Sequence, residues 1–299
     1  MSILRDSNGL TEEEYLASYR PGDYVRPSVA VDMVIFTAAD REEDNYRKVP
    51  EKELKLLLIQ RGGHPYLGAW ALPGGFVEPT ETTEQAAERE LKEETGVEDI
   101  YLEQLYTFSE PKRDPRTWIM SCSYLALTDS RALTVKAGDD AKRAEWFTVK
   151  LITENQQTDG TSDRVTKITD YRLELTNGDI ILSARVRHTF ARSAKGSENS
   201  FEITENNGLA FDHAKIITYA LERLRGKVEY TDIALNLVPE YFTLTELQQV
   251  YEIILGRQLI KAPFRRKYGV LAEPTDKTTS DAGHRPSRLF RRKWNVDQK

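Results

Sequence analysis

The sequence predicts an α/β (α+β) protein that is built from two parts. Stretches with strand patterns and stretches with the spacing of amphipathic helices both occur along the 299 residues. The charge also divides the chain. Twelve Lys and Arg against four Asp and Glu give residues 256–299 a charge of +8, whereas residues 1–255 carry −14. A basic end on an acidic body indicates that this end has a polyanionic partner.

The predicted elements follow in order. Residues 1–26 look like an arm with a short helix at 12–17. Strand patterns then occur at residues 28–37, 55–60, 100–108, 118–127 and 145–147. Further on, Asn177-Gly178-Asp179 separates two strand-like runs, so residues 150–205 are interpreted as an inserted hairpin that ends in a polar stretch at 193–200. Residues 211–225 have the apolar spacing of an amphipathic helix.

One predicted helix carries an unusual group of acidic residues. A capping-box pair and a C-terminal glycine bound this helix at residues 83–95. Glu90, Glu93 and Glu94 lie at positions i, i+3 and i+4, which places three carboxylates side by side. These carboxylates repel one another unless a cation neutralises them, and Mg²⁺ and Mn²⁺ prefer such oxygen ligands.

Flanking residues support a metal site over the alternative of an exposed, charged helix. Arg89 and Glu81 supply an opposite charge and a further carboxylate, which can hold the ligands in place. The apolar strand at residues 70–76 is predicted to break into a loop at Gly74 and Gly75, where the backbone can approach a metal closely.

This pattern resembles the Nudix box of the Nudix hydrolase superfamily, and every defining position is filled: Gly75, Glu81, Arg89, Glu90, Leu91, Glu93, Glu94, Gly96 and Val97. The resemblance implies a Nudix α/β/α sandwich with a mixed sheet. It also implies Mg²⁺- or Mn²⁺-dependent water attack on a nucleoside diphosphate linked to another group. Glu90, Glu93, Glu94 and a backbone carbonyl near Gly75 would ligate the metal. Arg89 and Glu81 would complete the catalytic group as orienting residues.

The substrate and the general base are less well defined. Arg113 and Arg116 lie in a segment that resembles the substrate loop of ADP-ribose pyrophosphatases, and Arg61 is a third candidate for binding substrate. The alternative is that these arginines are solvated surface residues. The four histidines are interpreted as ordinary polar residues, since no pair has metal-ligand spacing. The general base is left open among the box glutamates, Asp139, Asp140 and Glu145.

The basic end has a different pattern. A capped helix, a turn, a basic helix and a polar loop at residues 273–283 precede a second basic segment. This is the layout of a winged helix-turn-helix, which lays its second helix in the major groove of DNA and touches phosphates with its wing. Winged folds also serve as dimerisation or protein-docking modules. The expected DNA contacts are Arg265, Arg266, Lys267, Arg285 and Arg288.

Residues 242–248, 264–267 and 283–287 resemble the C-terminal domain of Nudix-related transcriptional regulators. In that family, a Nudix domain that binds ADP-ribose or a related ligand controls operator binding. The resemblance also implies a homodimer. The predicted domains are an arm at 1–26, a Nudix domain at 27–226 with the inserted hairpin at about 150–205, and a winged helix-turn-helix domain at 227–299.

The intact box decides which function we expect first. Several such regulators have a degraded box, so we expect this chain to be a hydrolase that cleaves ADP-ribose to AMP and ribose 5-phosphate. The alternative is an ADP-ribose- or nucleotide-responsive DNA-binding regulator that uses the Nudix domain as a sensor. No apolar window is long enough to span a membrane and the first residues lack an apolar signal core, so we expect a cytoplasmic protein.

Overall fold

The computed structural model describes residues 4–41, 50–96, 100–129, 141–279 and 286–294. Val97, Asp139, Asp140 and Arg285 therefore lie outside the described residues. The helices are α1 Glu12–Ser18, α2 Thr83–Thr95, α3 His213–Lys227, α4 Leu244–Leu255 and α5 Lys261–Tyr268, with short 3-10 helices at Pro21–Asp23, Ile233–Leu237 and Gly269–Leu271. The strands are β1 Ser28–Asp40, β2 Lys52–Arg61, β3 Trp70–Ala71, β4 Gly74–Phe76, β5 Tyr101–Phe108, β6 Ile119–Asp129, β7 Ala141–Gly160, β8 Arg164–Asn177, β9 Ile180–Ser193, β10 Gly196–Asn207, β11 Ala272–Thr278 and β12 Arg288–Arg292.

Within these residues, ten strands form one mixed sheet in the order β10-β9-β8-β7-β2-β1-β6-β5, with β3 beside β2 and β4 beside β1. Strands β1 and β6 are parallel, from Ser28 opposite Ile119 to Ala38 opposite Asp129. The other pairs in the sheet are antiparallel.

Helices cover both faces of this sheet. Because side chains alternate along a strand, β1 sends Val31, Met33 and Ile35 to one face, where they pack with Ala86 and Leu91 of α2. The opposite face belongs to a second cluster, which contains Val34 and Phe36 of β1 with Ile216, Ile217 and Ala220 of α3. The α/β/α sandwich with a mixed sheet is thereby confirmed.

The C-terminal elements form the expected winged helix and share the core of the sheet. Aromatic rings join the two helices, since Tyr251 of α4 lies 5.3 Å from Phe264 and 4.1 Å from Tyr268 of α5. Strands β11 and β12 make the hairpin. Buried residues of α4, including Leu247 and Ile254, belong to the same apolar cluster as the sheet face that α3 covers. In the part of the chain that the structure describes, no helix is long and apolar enough to cross a membrane.

Three local predictions differ from the structure. Gly74 and Gly75 are not a loop but strand β4, which pairs with Asp32 and Val31 of β1. The residues interpreted as an inserted hairpin extend the sheet itself, because β7, β8, β9 and β10 are successive antiparallel neighbours. The polar loop expected from residue 273 begins later, because Ala272–Thr278 is strand β11.

Candidate functional site

A cavity of about 560 Å³ lies at one side of the sheet. Its wall combines residues from β1, β4, the end of α2, the loop after β5 and the segment that leads into α3. This volume is in the ordinary range for a small-molecule site. The lining includes Asp32, Arg61, Gly74, Gly75, Glu94, Arg113, Arg116, Phe211 and His213.

Helix α2 is fixed at both ends by local chemistry. Thr82 and Gln85 form the predicted capping box, and Gly96 adopts the left-handed conformation with φ 70° that ends the helix. These caps set which residues face the cavity, so Glu90 and Glu94 lie on the β4 side while the side chain of Glu93 is 59% exposed.

Arg89 organises the acidic group. Its Nε and Nη2 donate to the two carboxylate oxygens of Glu81 at 3.1 and 2.8 Å. Its Nη1 donates to Glu90 at 2.7 Å and Nη2 also reaches the carbonyl of Phe76 at 3.2 Å. The bonds from Arg89 lower the pKa of Glu81, whereas burial raises the pKa of Glu90 despite the same arginine. Arg89 therefore joins α2 to β4 and orients two carboxylates.

Glu94 has a buried carboxyl group whose hydrogen bonds are incomplete. Burial, followed by the charge of Glu90, raises the pKa of Glu94 to about 8, although the backbone N–H of Gly74 donates to it. One of its carboxylate oxygens is buried without a hydrogen-bond partner. A buried oxygen of this kind matches what a hard divalent cation requires from its ligands.

Gly75 lies directly against Glu90. A Cβ on Gly75 would stand 1.9 Å from a carboxylate oxygen of Glu90, so only glycine lets this carboxylate approach the strand so closely. Among the described residues, no three His, Cys, Asp or Glu side chains already converge into a formed metal site. The donors nevertheless fit a divalent cation, because they are carboxylates beside strand β4 and one of them, Glu94, has an oxygen without a hydrogen-bond partner.

The three candidate arginines reach the same cavity in different ways. Arg113 is buried and donates to both carboxylate oxygens of Asp212 at 3.0 and 2.7 Å, so it supports the wall. Arg116 pairs with buried Asp114 at 2.7 Å, and its guanidinium lies 5.7 Å from the ring of Phe211. Arg61 donates to the carbonyl of Pro65 at 2.8 Å and lies 4.9 Å from the same ring.

Four residues at the cavity were not found from the sequence, of which three line it and the fourth, Asp212, is bonded to the lining residue Arg113. Asp32 accepts a hydrogen bond from Ser121 and lies 3.6 Å from Nε2 of His213. His213 is fully buried, and its Nδ1 accepts from the backbone N–H of Leu72 at 2.8 Å. His213 is thus a buried residue of the cavity lining, and burial lowers its pKa. Phe211 and Asp212 complete this group.

Phe211 also has an unusual backbone. Its φ of 49° places a non-glycine residue in the left-handed region, which costs free energy and often occurs at binding sites. The ring is thereby held next to Tyr66, with centroids 4.7 Å apart, and next to Arg61 and Arg116. No signal in the sequence marks it, since an isolated Phe before a helix is usually a core residue.

The structure supports none of the later candidates for a general base, Asp139, Asp140 and Glu145, as a residue of the cavity. Glu145 accepts hydrogen bonds from Arg143 on its own strand and from Asn177 on β8, and it is not part of the cavity wall. Asp139 and Asp140 lie outside the described residues.

A second surface lies on the winged helix. Arg265, Arg266 and Lys267 are exposed on α5, and Arg288 is exposed on β12. Neither Arg265, Arg266 nor Arg288 forms an ion pair with a described residue, so these charges face solvent. Arg292 differs, because it donates to Asp232 at 2.6 Å and to Asn236 at 3.0 Å and fastens the wing to the domain.

Fold and site together define a Nudix domain that is followed by a DNA-binding type of winged helix. Two family models match the chain: the NUDIX domain over residues 26–167 and the NrtR DNA-binding winged helix domain over residues 234–292. The chain is 33% identical over 289 residues to the ADPR responsive transcriptional repressor NtrR of Acinetobacter baylyi, covering 95% of this chain and 89% of the repressor. The chain therefore belongs to the family of Nudix-related transcriptional regulators.

Two further proteins delimit this similarity. The structure of Shewanella oneidensis NrtR complexed with a 27mer DNA shares 28% identity with a TM-score of 0.57, and the match covers 89% of this chain and 93% of that one. An ADP-ribose pyrophosphatase of Methanocaldococcus jannaschii is 41% identical over 143 residues, which is 48% of this chain and 73% of the pyrophosphatase.

These matches correct the expected main function. Hydrolysis of ADP-ribose was expected first because the Nudix box is intact, and this expectation was wrong. The relative that matches nearly the whole chain is a repressor, and the pyrophosphatase matches only the Nudix half. The alternative, a DNA-binding regulator, is better supported by both family models and by the DNA-bound neighbour. The Nudix domain retains the potential for hydrolysis, and Nudix hydrolases generally use divalent metals.

Proposed function

We propose that this protein is a DNA-binding transcriptional regulator whose Nudix domain responds to ADP-ribose. The observation that carries the proposal is the similarity to the ADPR responsive repressor, which extends over 95% of the chain and includes both domains. The neighbour bound to a 27mer DNA supports the same role for the winged helix.

The DNA partner is supported by the charges on the winged helix. Arg265, Arg266 and Lys267 occupy the exposed side of the second helix of the helix-turn-helix, which is the element that enters the major groove in such modules. Arg288 on the wing would contact phosphates, as would Arg285, which lies outside the described residues.

The ligand is supported by the chemistry of the cavity. Arg61 and Arg116 flank the ring of Phe211, which offers cations for phosphates beside an aromatic face for a base or ribose. Arg113 would act indirectly, because Asp212 holds its guanidinium in the wall.

A divalent cation, Mg²⁺ or Mn²⁺, would be held by Glu90, Glu93 and Glu94 with a carbonyl of the Gly75 strand. The orphaned oxygen of Glu94 and the close approach of the Glu90 carboxylate to Gly75 support this assignment. When bound, the cation supplies positive charge to the ligand's diphosphate. Arg89 and Glu81 would keep the glutamates in position.

Fluorescence anisotropy with labelled duplexes from the region upstream of the protein's own gene tests the proposal. We expect salt-sensitive binding to one duplex and a change of at least about fivefold in its Kd when ADP-ribose and Mg²⁺ are added. The double variant Arg265→Ala/Arg266→Ala should lose binding. The matched control Arg192→Ala/Lys195→Ala removes the same charge from exposed positions at the β9–β10 turn and should bind like the wild type.

Two results would overturn the proposal. One is that the wild type binds no upstream duplex at low salt. The other is that ADP-ribose leaves the Kd for the operator unchanged. Release of AMP is followed in the same samples, so that an effect of ADP-ribose is separated from an effect of its products.

A further inference from the structure

Helix α3 starts in the wall of the ligand cavity. Asp212, the residue before the helix, holds Arg113 through two hydrogen bonds, and His213 accepts the N–H of Leu72. Both Arg113 and His213 line the cavity. A ligand that displaces either side chain therefore acts on the first turn of α3. With fifteen residues, the helix extends about 22 Å from this point.

The other end of α3 packs on the helix-turn-helix and is also hydrogen-bonded to it through Arg225. Nε of Arg225 donates to the carbonyl of Ile254 at 3.0 Å, and its Nη2 donates to the carbonyl of Leu151 at 2.8 Å. Ile254 is in the last turn of α4, where carbonyls have no partner within the helix. Leu151 belongs to β7, beyond Thr148, at which pairing with β2 ends.

The geometry around Arg225 is tight. Gly256 ends α4 with a φ of 67°, and a Cβ there would stand 3.3 Å from Nη2 of Arg225. The guanidinium is partly buried and forms no ion pair with a described carboxylate, so its two carbonyl partners set its position. One rigid planar group thus joins α3, the end of α4 and the extended sheet.

Displacement of α4 would carry the basic helix with it. Tyr251 of α4 packs against Phe264 and Tyr268 of α5, and these three rings are buried. Packed helices of this kind move together rather than deform. Arg265 and Arg266 follow Phe264 directly on α5.

We propose that Arg225 is the positioning residue through which the state of the ligand cavity reaches the DNA-binding helices. This inference rests on the proposed function, since it assigns a route between the two sites. α3 is the connecting element, with Asp212 and His213 at the ligand end and Arg225 at the DNA end. Arg225 touches neither ligand nor DNA, and its effect is on the coupling between them.

The test compares operator Kd with and without ADP-ribose and Mg²⁺ in the full-length protein. Arg225→Met keeps the apolar length of the side chain but removes both hydrogen bonds. We expect each of the two operator Kd values of the variant to stay within about threefold of the corresponding wild-type value. The ratio between the Kd values with and without ligand should fall from at least about fivefold to less than about twofold. The control is Arg223→Ala, an exposed arginine on the same helix, which should keep the wild-type ratio.

The outcomes separate the two proposals. If ADP-ribose does not change the wild-type Kd for DNA, the proposed function fails. If the wild type responds and Arg225→Met responds equally, only the role of Arg225 fails. A purely structural role would lower the melting temperature without changing the ratio, which also contradicts the proposal. Should Arg225→Met not fold, Arg225→Lys replaces it, because a lysine bonds one carbonyl well but not both, and an intermediate ratio is expected.

Discussion

At the scale of single residues, Glu94 shows how burial and charge conflict within the site. Its pKa is raised from the usual 4.5 to about 8, first by burial and then by the charge of Glu90. A raised pKa favours the protonated form in the folded protein. The favourable contribution is therefore complete below pH 4.5 and is lost as the pH rises through about 8.

The Glu94→Gln variant should reveal this conflict. In metal-free buffer we expect its melting temperature to exceed that of the wild type at pH 8 to 9 and to differ little at pH 5, because a neutral amide avoids the buried charge. Added Mn²⁺ or Mg²⁺ should stabilise the wild type but not the variant. Calorimetry with EDTA, then with metal, measures both effects. The exposed Glu88→Gln is the control, and an equal metal response in Glu94→Gln would remove this residue from the metal site.

The two adjacent glycines of β4 should respond differently to alanine. At Gly74, φ is 154° and a Cβ would stand 2.0 Å from the carbonyl oxygen of Val31, so the backbone itself must move. At Gly75 the Cβ would meet the flexible end of Glu90 instead. We expect Gly74→Ala to lower the free energy of unfolding by more than about 2 kcal/mol.

Gly75→Ala should cost less than Gly74→Ala but displace Glu90 and abolish stabilisation by Mn²⁺. Urea denaturation of both variants, with and without Mn²⁺, makes the comparison. A Gly75→Ala protein that retains the full Mn²⁺ response would show that metal binding does not need the close approach of Glu90 to this strand.

Local and distant residues of the site differ in how far the sequence reveals them. Helix α2 and the segment just before it carry Glu81, Arg89 and Glu90. The short separation along the chain and the periodicity of the helix therefore bring these residues together. Asp32, Phe211 and His213 come from opposite ends of the Nudix part and meet only because α3 returns to β1 and β4. No pattern within a short window can predict such a meeting.

At the scale of elements, the wing separates two roles of arginine. Arg292 is bonded to Asp232 and Asn236 and its guanidinium lies 4.4 Å from the ring of Trp294, whereas Arg288 is exposed. We expect Arg288→Ala to weaken operator binding several-fold and to reduce its dependence on salt, with no change in stability. Arg292→Ala should lower stability by about 1 kcal/mol through its lost hydrogen bonds.

Anisotropy titrations at several salt concentrations and thermal melts distinguish these two wing variants. A melting temperature that falls more in Arg288→Ala than in Arg292→Ala would contradict the assignment.

Elements with local signals were predicted well, and elements that depend on pairing were not. The helices α2 and α4 are capped by Thr82 and Thr243 at their starts and by Gly96 and Gly256 at their ends, and these capping residues are adjacent in the sequence to the helices that they bound. The strand β4 was mistaken for a loop because its two glycines have no strand propensity, and only pairing with β1 makes them a strand. The four-strand extension was likewise seen only as the hairpin whose turn signal it contains.

At the scale of the whole molecule, the mistaken expectation of a hydrolase has a physical cause. The residues that would hold a divalent cation and a diphosphate are the same whether the ligand is cleaved or only sensed. An intact box therefore reports the chemistry of binding. The charge division of the chain was the better guide to function, because most of the +8 of residues 256–299 lies in the part that matches a DNA-binding domain.

The shared core of the two domains leads to a prediction about the operator. If the protein acts as the homodimer that the resemblance to these regulators implies, each winged helix is fixed to its own Nudix sheet, because α4 and the sheet face belong to one apolar cluster. The distance between the two basic helices is then set by the dimer and not by a flexible linker. Half-sites should therefore be read at one spacing only.

Insertions between the half-sites of the operator test this rigidity. Five added base pairs place the half-sites on opposite faces of the duplex, and ten restore the face but add about 34 Å. A flexibly linked winged helix would tolerate the ten-pair insertion, whereas this rigid arrangement should lose at least tenfold in affinity with either. Light scattering measures the oligomeric state in the same samples, and a monomer would contradict the dimer. Binding of the operator with the ten-pair insertion as tightly as the original would contradict the fixed geometry of the winged helices.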